Sequence, residues 1–275
     1  MVGRYEDCTA MCLSSIAIDV MIGGRFKVAK TLANVGQSYA RLGDLEHGLA
    51  YLKRARDAHD RYQDQEARID TALVTACALI EGGRIDQAKT LLDDAAALAR
   101  ISDNVYDKTH LLIVQALIAH DQGEAVAAST YAAEARQLAE GQALVSYHVY
   151  ATAIEAAARV NSGDTQAGVL LATTALGAVE GMEGSEYGIE VRSLCTDAVI
   201  SALADNRLAT ASPTMTADVC RRALDHVDLI AGYVRDPLRR EQFFKRPPVA
   251  RIVSHAMRFS GTGGGLSGQP DTTTK

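Results

Sequence analysis

The sequence contains no tryptophan, only 5% aromatic residues and only five prolines in 275 residues. This scarcity, together with frequent alanine, favours closely packed helices over sheets. Long hydrophobic runs are also absent, because Asp19 interrupts the apolar segment LSSIAIDVMIGG, so the sequence predicts no membrane-spanning helix. The first residues are charged rather than apolar, unlike a signal peptide, and we expect a cytoplasmic protein with no membrane partner.

Cysteines are few, odd in number and without a C-x-x-C pair, which argues against a disulfide framework or a zinc knuckle. They stand at Cys8, Cys12, Cys77, Cys195 and Cys220. Cys8 and Cys12 share one helix face and could form half of a metal site, although small residues that let helices approach are the simpler interpretation. The net charge of −6 excludes the overall basic balance of a nucleic-acid-binding protein.

Motifs of common active sites are missing as well. The sequence has no G-x-x-x-x-G-K-[ST] phosphate loop, no H-E-x-x-H metal motif and no nucleophile elbow. Its seven histidines are scattered, and no third ligand accompanies His110 and His120. We therefore expect no enzymatic activity, no cofactor and no bound metal.

A 40-residue repeat dominates what is present. Glycines recur at Gly3, Gly43, Gly83, Gly123 and Gly163, and small residues follow five and twelve positions later. Offsets of 5, 9 and 12 lie on one stripe of a helix, where small residues let a second helix approach. Each unit therefore predicts a helix, a turn at a left-handed glycine and a second helix. Stacking of such αα-hairpins builds an α-solenoid.

The segment LANVGQSYARLGDLEHGLAYLKRARDAHD (32–60) resembles the tetratricopeptide repeat (TPR) motif. The resemblance rests on the spacing of Gly36, Tyr39, Gly43, Gly48, Leu52 and Ala55. The period is longer than the usual value of about 34 residues. It is similar to the large-repeat type in C-terminal regions of multidomain signalling ATPases, Ser/Thr kinases and transcription regulators. The resemblance spans residues 3–235 and implies an all-α, right-handed superhelix of five to six hairpins.

The same register predicts the layout of the chain. A half repeat at 3–22 precedes four repeats at 23–62, 63–102, 103–142 and 143–182, a divergent repeat at 183–235 and a C-terminal cap at 236–260. The cap is similar to an Asp-Pro-x-x-Arg-x-x-Phe-Leu segment that closes such superhelices, through Asp236, Pro237, Arg240, Phe243 and Phe244. Leu238, Phe243 and Phe244 are expected to dock a short helix on the last repeat. Residues 261–275 are rich in glycine and threonine and are predicted to be disordered.

The half repeat raises a separate question, because residues 5–20 form a second helix whose first helix is missing. Its stripe carries Cys8, Met11, Cys12, Ser15 and Ile18. Apolar side chains left in water forgo burial energy, so natural arrays end in polar repeats. Two interpretations stay open. Either an upstream helix of a longer protein covers this face, or the face is an interface for a partner or a second copy.

In the TPR family the first helix of each unit lines the concave surface. Carried over by register, the predicted partner-binding surface comprises Lys30, Asn34, Gln37, Arg41, Asp70, Leu73, Cys77, His110, Ile113, Leu117, Tyr150, Ile154 and Ala157. The two-lysine, two-asparagine clamp of some members is absent, so we expect an amphipathic helix rather than a free peptide carboxylate in the groove. Leu73, Ile113 and Ile154 could instead pack inside the units.

These features predict a protein–protein interaction scaffold, the C-terminal docking or sensor arm of a larger signalling or regulatory protein. An alternative is a small-molecule effector domain that uses the superhelix groove. The segment 221–258 holds nine basic and four acidic residues. Nucleic-acid binding there is a third hypothesis, but a solvated helix face partly neutralised by the acidic array is the simpler interpretation.

Overall fold

The computed structural model describes residues 3–101, 103–182, 185–204 and 213–260 as thirteen helices, with no strand among them. The helices are α1 (Tyr5–Met21), α2 (Arg25–Arg41), α3 (Leu45–Tyr62), α4 (Gln65–Glu81), α5 (Ile85–Ile101), α6 (Val105–Asp121), α7 (Ala125–Gly141), α8 (Val145–Asn161), α9 (Thr165–Glu180), α10 (Gly188–Ala204), α11 (Pro213–Gly232), α12 (Pro237–Lys245) and α13 (Pro247–Ser260). The prediction of an all-α solenoid is confirmed. The predicted disordered tail at 261–275 lies outside the described residues.

The pairs α2/α3, α4/α5, α6/α7 and α8/α9 form hairpins, each joined by a three-residue turn with a glycine at its centre. At the first of these turns Gly43 has φ +85°, and the Asp44 amide donates to the Tyr39 carbonyl at 3.0 Å. The Asp44 side chain then caps α3 by accepting from the His47 amide. Gly83, Gly123 and Gly163 repeat the positive φ. The left-handed glycine satisfies the last carbonyls of one helix and starts the next, which explains the 40-residue spacing.

Small residues set the distance between the two helices of a hairpin. A Cβ at Gly36 would lie 2.8 Å from the Gly48 carbonyl oxygen and 2.7 Å from the Leu52 side chain. Ala128, Ala132 and Ala135 hold corresponding positions on α7 and are fully buried. The helices therefore approach closely, and the larger core side chains fill the space to either side.

Three residues expected on the concave surface belong to this core. Leu73, Ile113 and Ile154 are all fully buried among the apolar side chains of the hairpins. They occupy the interior positions that the sequence left open as an alternative. They give the first helices a packed interior and offer no surface to a partner.

The C-terminal helices pack against each other and bury one aromatic side chain completely. Asp236 caps α12 by accepting from the amides of Leu238 and Arg239, and Pro237 occupies the first turn. Phe243 lies among apolar side chains of α11 and α13, including Ile230 and Ile252. Leu238, which was expected to dock with it, is 72% exposed. Only the later half of this nine-residue helix therefore enters the core.

The solenoid closes on itself, because the C-terminal segment reaches the first two helices. The carboxylate of Glu6 on α1 accepts from the backbone amides of Arg235 and Asp236, at 2.8 and 3.2 Å. The Arg246 guanidinium donates to the Arg41 carbonyl at 3.1 Å. The first turn of α1 is thus covered by residues more than 220 positions away. The sequence predicted that the helix at residues 5–20 has no covering partner within the chain. The structure corrects this prediction for the first turn of α1.

The remainder of α1 stays uncovered and apolar. Met11, Ile18, Val20, Met21 and Ile22 are between 60 and 85% exposed. The only charged residue between Asp7 and Arg25 is Asp19, which is buried and accepts a hydrogen bond from Ser15. The outer face of α1 is therefore a charge-free hydrophobic surface, larger than scattered exposed side chains would produce.

The contact between the Gly43 turn and α12 predicts a specific stability difference. An alanine Cβ at position 43 would overlap the Gln242 carbonyl, whereas a Cβ at Gly83 meets no atom within 4 Å. Both substitutions force alanine into a left-handed conformation, at about 1–2 kcal/mol. Gly43→Ala is expected to cost a further amount of about 1–3 kcal/mol, typical of overpacking. Urea unfolding of both variants measures this difference, and equal losses would show that α12 does not contact the turn.

Candidate binding groove on the concave surface

The first helices face a shared interior that side chains divide into separate cavities. One of about 530 Å³ lies between α2, α4 and the start of α6. We call it the acidic groove. It is lined by Lys30, Ala33, Asn34, Gln37, His59, Asp64, Glu66, Ala67, Asp70, Thr71, Val74, Asn104, Tyr106, Asp107 and Glu186. Five carboxylates and one lysine ammonium therefore border a single opening, which makes its potential negative.

Two of these carboxylates are held by polar contacts at the rim. Asn104 caps α6 and donates its side-chain amide to Glu66 at 2.5 Å. Asp64 caps α4 by accepting from the Ala67 amide at 3.1 Å. Helix-capping geometry thus fixes polar side chains at one end of the groove, where α4 and α6 begin.

Asp70 joins a chain of aromatic hydroxyls on the wall of the groove. Tyr106 hydrogen-bonds to Asp70, and burial raises the pKa of this carboxyl. The Tyr147 hydroxyl donates to the Tyr106 hydroxyl at 2.8 Å and lies 3.4 Å from Nδ1 of His110. Burial lowers the pKa of His110 to about 3, so the imidazole is neutral at physiological pH. The hydroxyls and the neutral imidazole of this network add no charge to the groove.

Cys77 and His110 meet at 3.7 Å, which invites comparison with a catalytic pair. Burial raises the pKa of the Cys77 thiol, and His110 is held neutral, so neither a thiolate nor an imidazolium is present. A nucleophilic cysteine needs the opposite environment, with a lowered pKa. The pair therefore acts as a packed contact between α4 and α6.

A polar bridge across the interior separates the acidic groove from a second chamber of about 460 Å³. Gln37 on α2 donates to Glu186 before α10 at 2.6 Å. Cys8 and Cys12 line the second chamber, with their sulfurs 4.0 Å apart. No group of three or more metal-binding side chains occurs in the described part of the chain.

Behind this bridge lies a buried cluster of ionised side chains, which we call the arginine cluster. Glu190 accepts from Arg41 at 3.1 Å and from Arg246 at 2.6 Å. Arg246 also donates to Glu81 at 2.8 Å. Although burial opposes ionisation, the two arginines lower the pKa of Glu190 to about 2. Four charges from α2, α4, α10 and the C-terminal cap therefore compensate one another inside the protein.

The predicted surface residues divide among these places. Lys30, Asn34, Gln37 and Asp70 line the acidic groove together. Arg41, Cys77 and His110 line a small pocket next to it, whereas Leu117 and Tyr150 line a separate cavity beside Pro247. Leu73, Ile113, Ile154 and Ala157 are buried. The structure therefore brings four of the thirteen residues together in the acidic groove and distributes the others among two further pockets and the core.

Several groove residues were missed by the sequence analysis. Glu66 and Tyr106 stand four positions before Asp70 and His110, so one further helical turn would have found them. Glu186 lies in the segment where the 40-residue register is lost, and no local pattern marks it. Glu81, Glu190 and Arg246 also carried no signal, because their partners are distant in sequence.

Comparisons with known proteins agree with this architecture. No family model matches the chain, and no curated protein matches it. Among solved structures it is similar to a Rap protein complexed with competence and sporulation factor, at 16% identity and a TM-score of 0.56. The match covers 94% of this chain and 73% of the Rap chain. The chain has a TPR-like helical-repeat fold. At this identity the likeness concerns the fold alone.

None of the helices in the described ranges combines the length and the apolar character that crossing a bilayer requires.

Proposed function

We propose that this chain is a non-catalytic interaction scaffold that binds a basic segment of a partner protein in the acidic groove. The observation that carries the proposal is the groove itself, in which five carboxylates face one lysine in a space of about 530 Å³. Complementary charge steers and orients such a partner. The amphipathic helix expected from the sequence is less suitable, because the apolar wall that it needed is buried in the hairpins.

A labelled pentapeptide tests the groove directly. We expect Ala-Lys-Ala-Arg-Ala with blocked ends to bind, and its counterpart with two glutamates not to bind, in a fluorescence anisotropy titration at low salt. The double substitution Glu66→Gln and Glu186→Gln should weaken binding by about tenfold, since it removes two of the facing charges. Higher salt should weaken binding to the native protein more than to the variant.

A matched control removes the same charge elsewhere. Asp93 and Asp94 are exposed on α5, away from the groove. The double substitution Asp93→Asn and Asp94→Asn should leave peptide affinity unchanged. If both double variants bind equally weakly, net charge rather than the groove attracts the peptide, and the proposal fails.

We further propose that the scaffold is a docking or sensor arm of a larger cytoplasmic signalling protein of the TPR family. The incomplete burial of α1 supports this proposal. Positions five, nine and twelve after the turn glycine are buried on α3, α5, α7 and α9, whereas on α1 Cys8 and Cys12 are half-buried and Ser15 is exposed. A native polypeptide of 29.3 kDa on a denaturing immunoblot would count against a larger protein.

The alternative is that a second copy of the chain packs against the outer face of α1. A charge-free helix face can pack against itself about a twofold axis. Ile18→Glu would then convert a dimer to a monomer in analytical ultracentrifugation. A monomer before any substitution would eliminate this alternative.

A further inference from the structure

A separate cavity of about 200 Å³ lies among α4, α6, α8, α10 and α13. It shares no lining residue with the acidic groove. Much of its wall is apolar and consists of Ile80, Leu117, Leu194, Pro247 and Pro248. Since one water needs about 10–15 Å³ of such space, the cavity has room for a molecule of about ten to fifteen non-hydrogen atoms.

One polar group in this wall lacks a hydrogen-bond donor. Glu190 is 5% exposed, and its Oε1 atom accepts from both Arg41 and Arg246. The Oε2 atom of the same carboxylate has no hydrogen-bond partner among the described residues. A buried carboxylate oxygen without a donor is costly, so the site favours a ligand that supplies one.

The charges around the cavity also select the sign of the ligand. Its lining includes the carboxylates of Glu81, Asp121, Glu190 and Asp197, against the single guanidinium of Arg251. Burial and the neighbouring Arg251 lower the pKa of His120, so its imidazole adds no positive charge. Asp197 is paired with Arg251 at 3.3 Å. Arg41 and Arg246 of the arginine cluster offset Glu190 and Glu81 from behind this wall. Four carboxylates therefore face three guanidiniums, and one negative charge remains in excess beside the apolar part of the wall.

We propose that this cavity binds a small primary amine with a short apolar body. The ammonium group donates to the free oxygen of Glu190, and the apolar body packs against Leu117, Leu194 and Pro248. Because α13 supplies part of the wall, such a ligand joins the C-terminal cap to α4, α6 and α10. A ligand that binds only the folded protein with the C-terminal cap in place stabilises that state. This site is distinct from the acidic groove and does not depend on the scaffold proposal.

Two probes of similar size and opposite charge test the chemistry. We expect 2-phenylethylamine to bind with one-to-one stoichiometry in calorimetry and to raise the unfolding temperature. The carboxylate 3-phenylpropanoate should bind at least about tenfold more weakly, because its charge opposes that of Glu190. Absence of amine binding, or equal affinity for both probes, would overturn the proposal.

Substitutions locate the site. Leu117→Trp fills the cavity and should abolish amine binding, while circular dichroism confirms that the helices remain. Glu190→Gln should weaken amine binding, but it also disturbs the arginine cluster, so Leu117→Trp carries the decision. Glu66→Gln in the acidic groove is the matched control and should leave amine affinity unchanged. If Leu117→Trp binds normally, or Glu66→Gln weakens binding as strongly, the amine does not occupy this cavity.

Discussion

Arg246→Ala is expected to destabilise the protein by about 3–5 kcal/mol, as removal of one partner from a buried ion pair does. Arg246 is 3% exposed and contacts Glu81, Glu190 and the Arg41 carbonyl. Its loss leaves the buried Glu190 and the half-buried Glu81 facing a single arginine. Urea unfolding followed by circular dichroism at neutral pH measures the effect.

The loss should depend on pH in a defined direction. In the native protein the arginines lower the pKa of Glu190 from 4.5 to about 2, so this carboxylate contributes stability above pH 4.5 that is lost as the pH falls towards 2. Burial raises the pKa of Glu81, and Arg246 counteracts that rise. Without Arg246 the pKa of both carboxyls increases. Protonation then relieves the buried charge, so the variant's deficit should be smaller at pH 5 than at pH 8.

The adjacent Lys245 is the matched control, because it carries the same charge on an exposed side chain paired with Glu241. Lys245→Ala should change the free energy of unfolding little at either pH. A loss below about 1 kcal/mol for Arg246→Ala, far under the range for a broken buried pair, would show that the C-terminal cap does not enter the interior. A loss of stability that does not change with pH would lead to the same conclusion.

Phe243→Ala is the second substitution with a large expected effect, about 3–5 kcal/mol, because a fully buried phenylalanine leaves a cavity when truncated. Phe243 is 0% exposed and packs with Ile230, Val249 and Ile252. Its removal loosens α12 and with it the contacts of the cap to α1 and α2. We therefore expect faster proteolysis between α11 and α12 in addition to the lower unfolding free energy.

Leu238→Ala separates burial from helix propensity, because it lies on the same helix and is 72% exposed. It should change stability by no more than about 0.5 kcal/mol, as surface substitutions do. Phe243→Leu should recover most of the lost stability, since it restores apolar volume. Equal effects of Phe243→Ala and Leu238→Ala would mean that α12 is not docked.

The sequence by itself determined the all-α repeat fold and the glycine turns that join the helices of each hairpin. Gly43 and Asp44 specify a turn through a left-handed glycine and a capping carboxylate, both of which act within a few residues. Small residues such as Gly48 specify close helix approach for the same local reason. The same register puts Lys30, Asn34 and Asp70 on the first helices of their hairpins, and in the structure they line one groove.

Only the tertiary structure decided how the ends meet. Glu6 binds residue 235, Gln37 binds Glu186 and Arg41 lies against Arg246, across separations of about 150 to 230 residues. These contacts depend on the rotation accumulated from one hairpin to the next. A small change in each hairpin angle moves the last helix by many ångströms, and no local pattern in the sequence encodes that sum. The arginine cluster and the cavity beside it exist only because the accumulated rotation brings the C-terminal cap back onto α2.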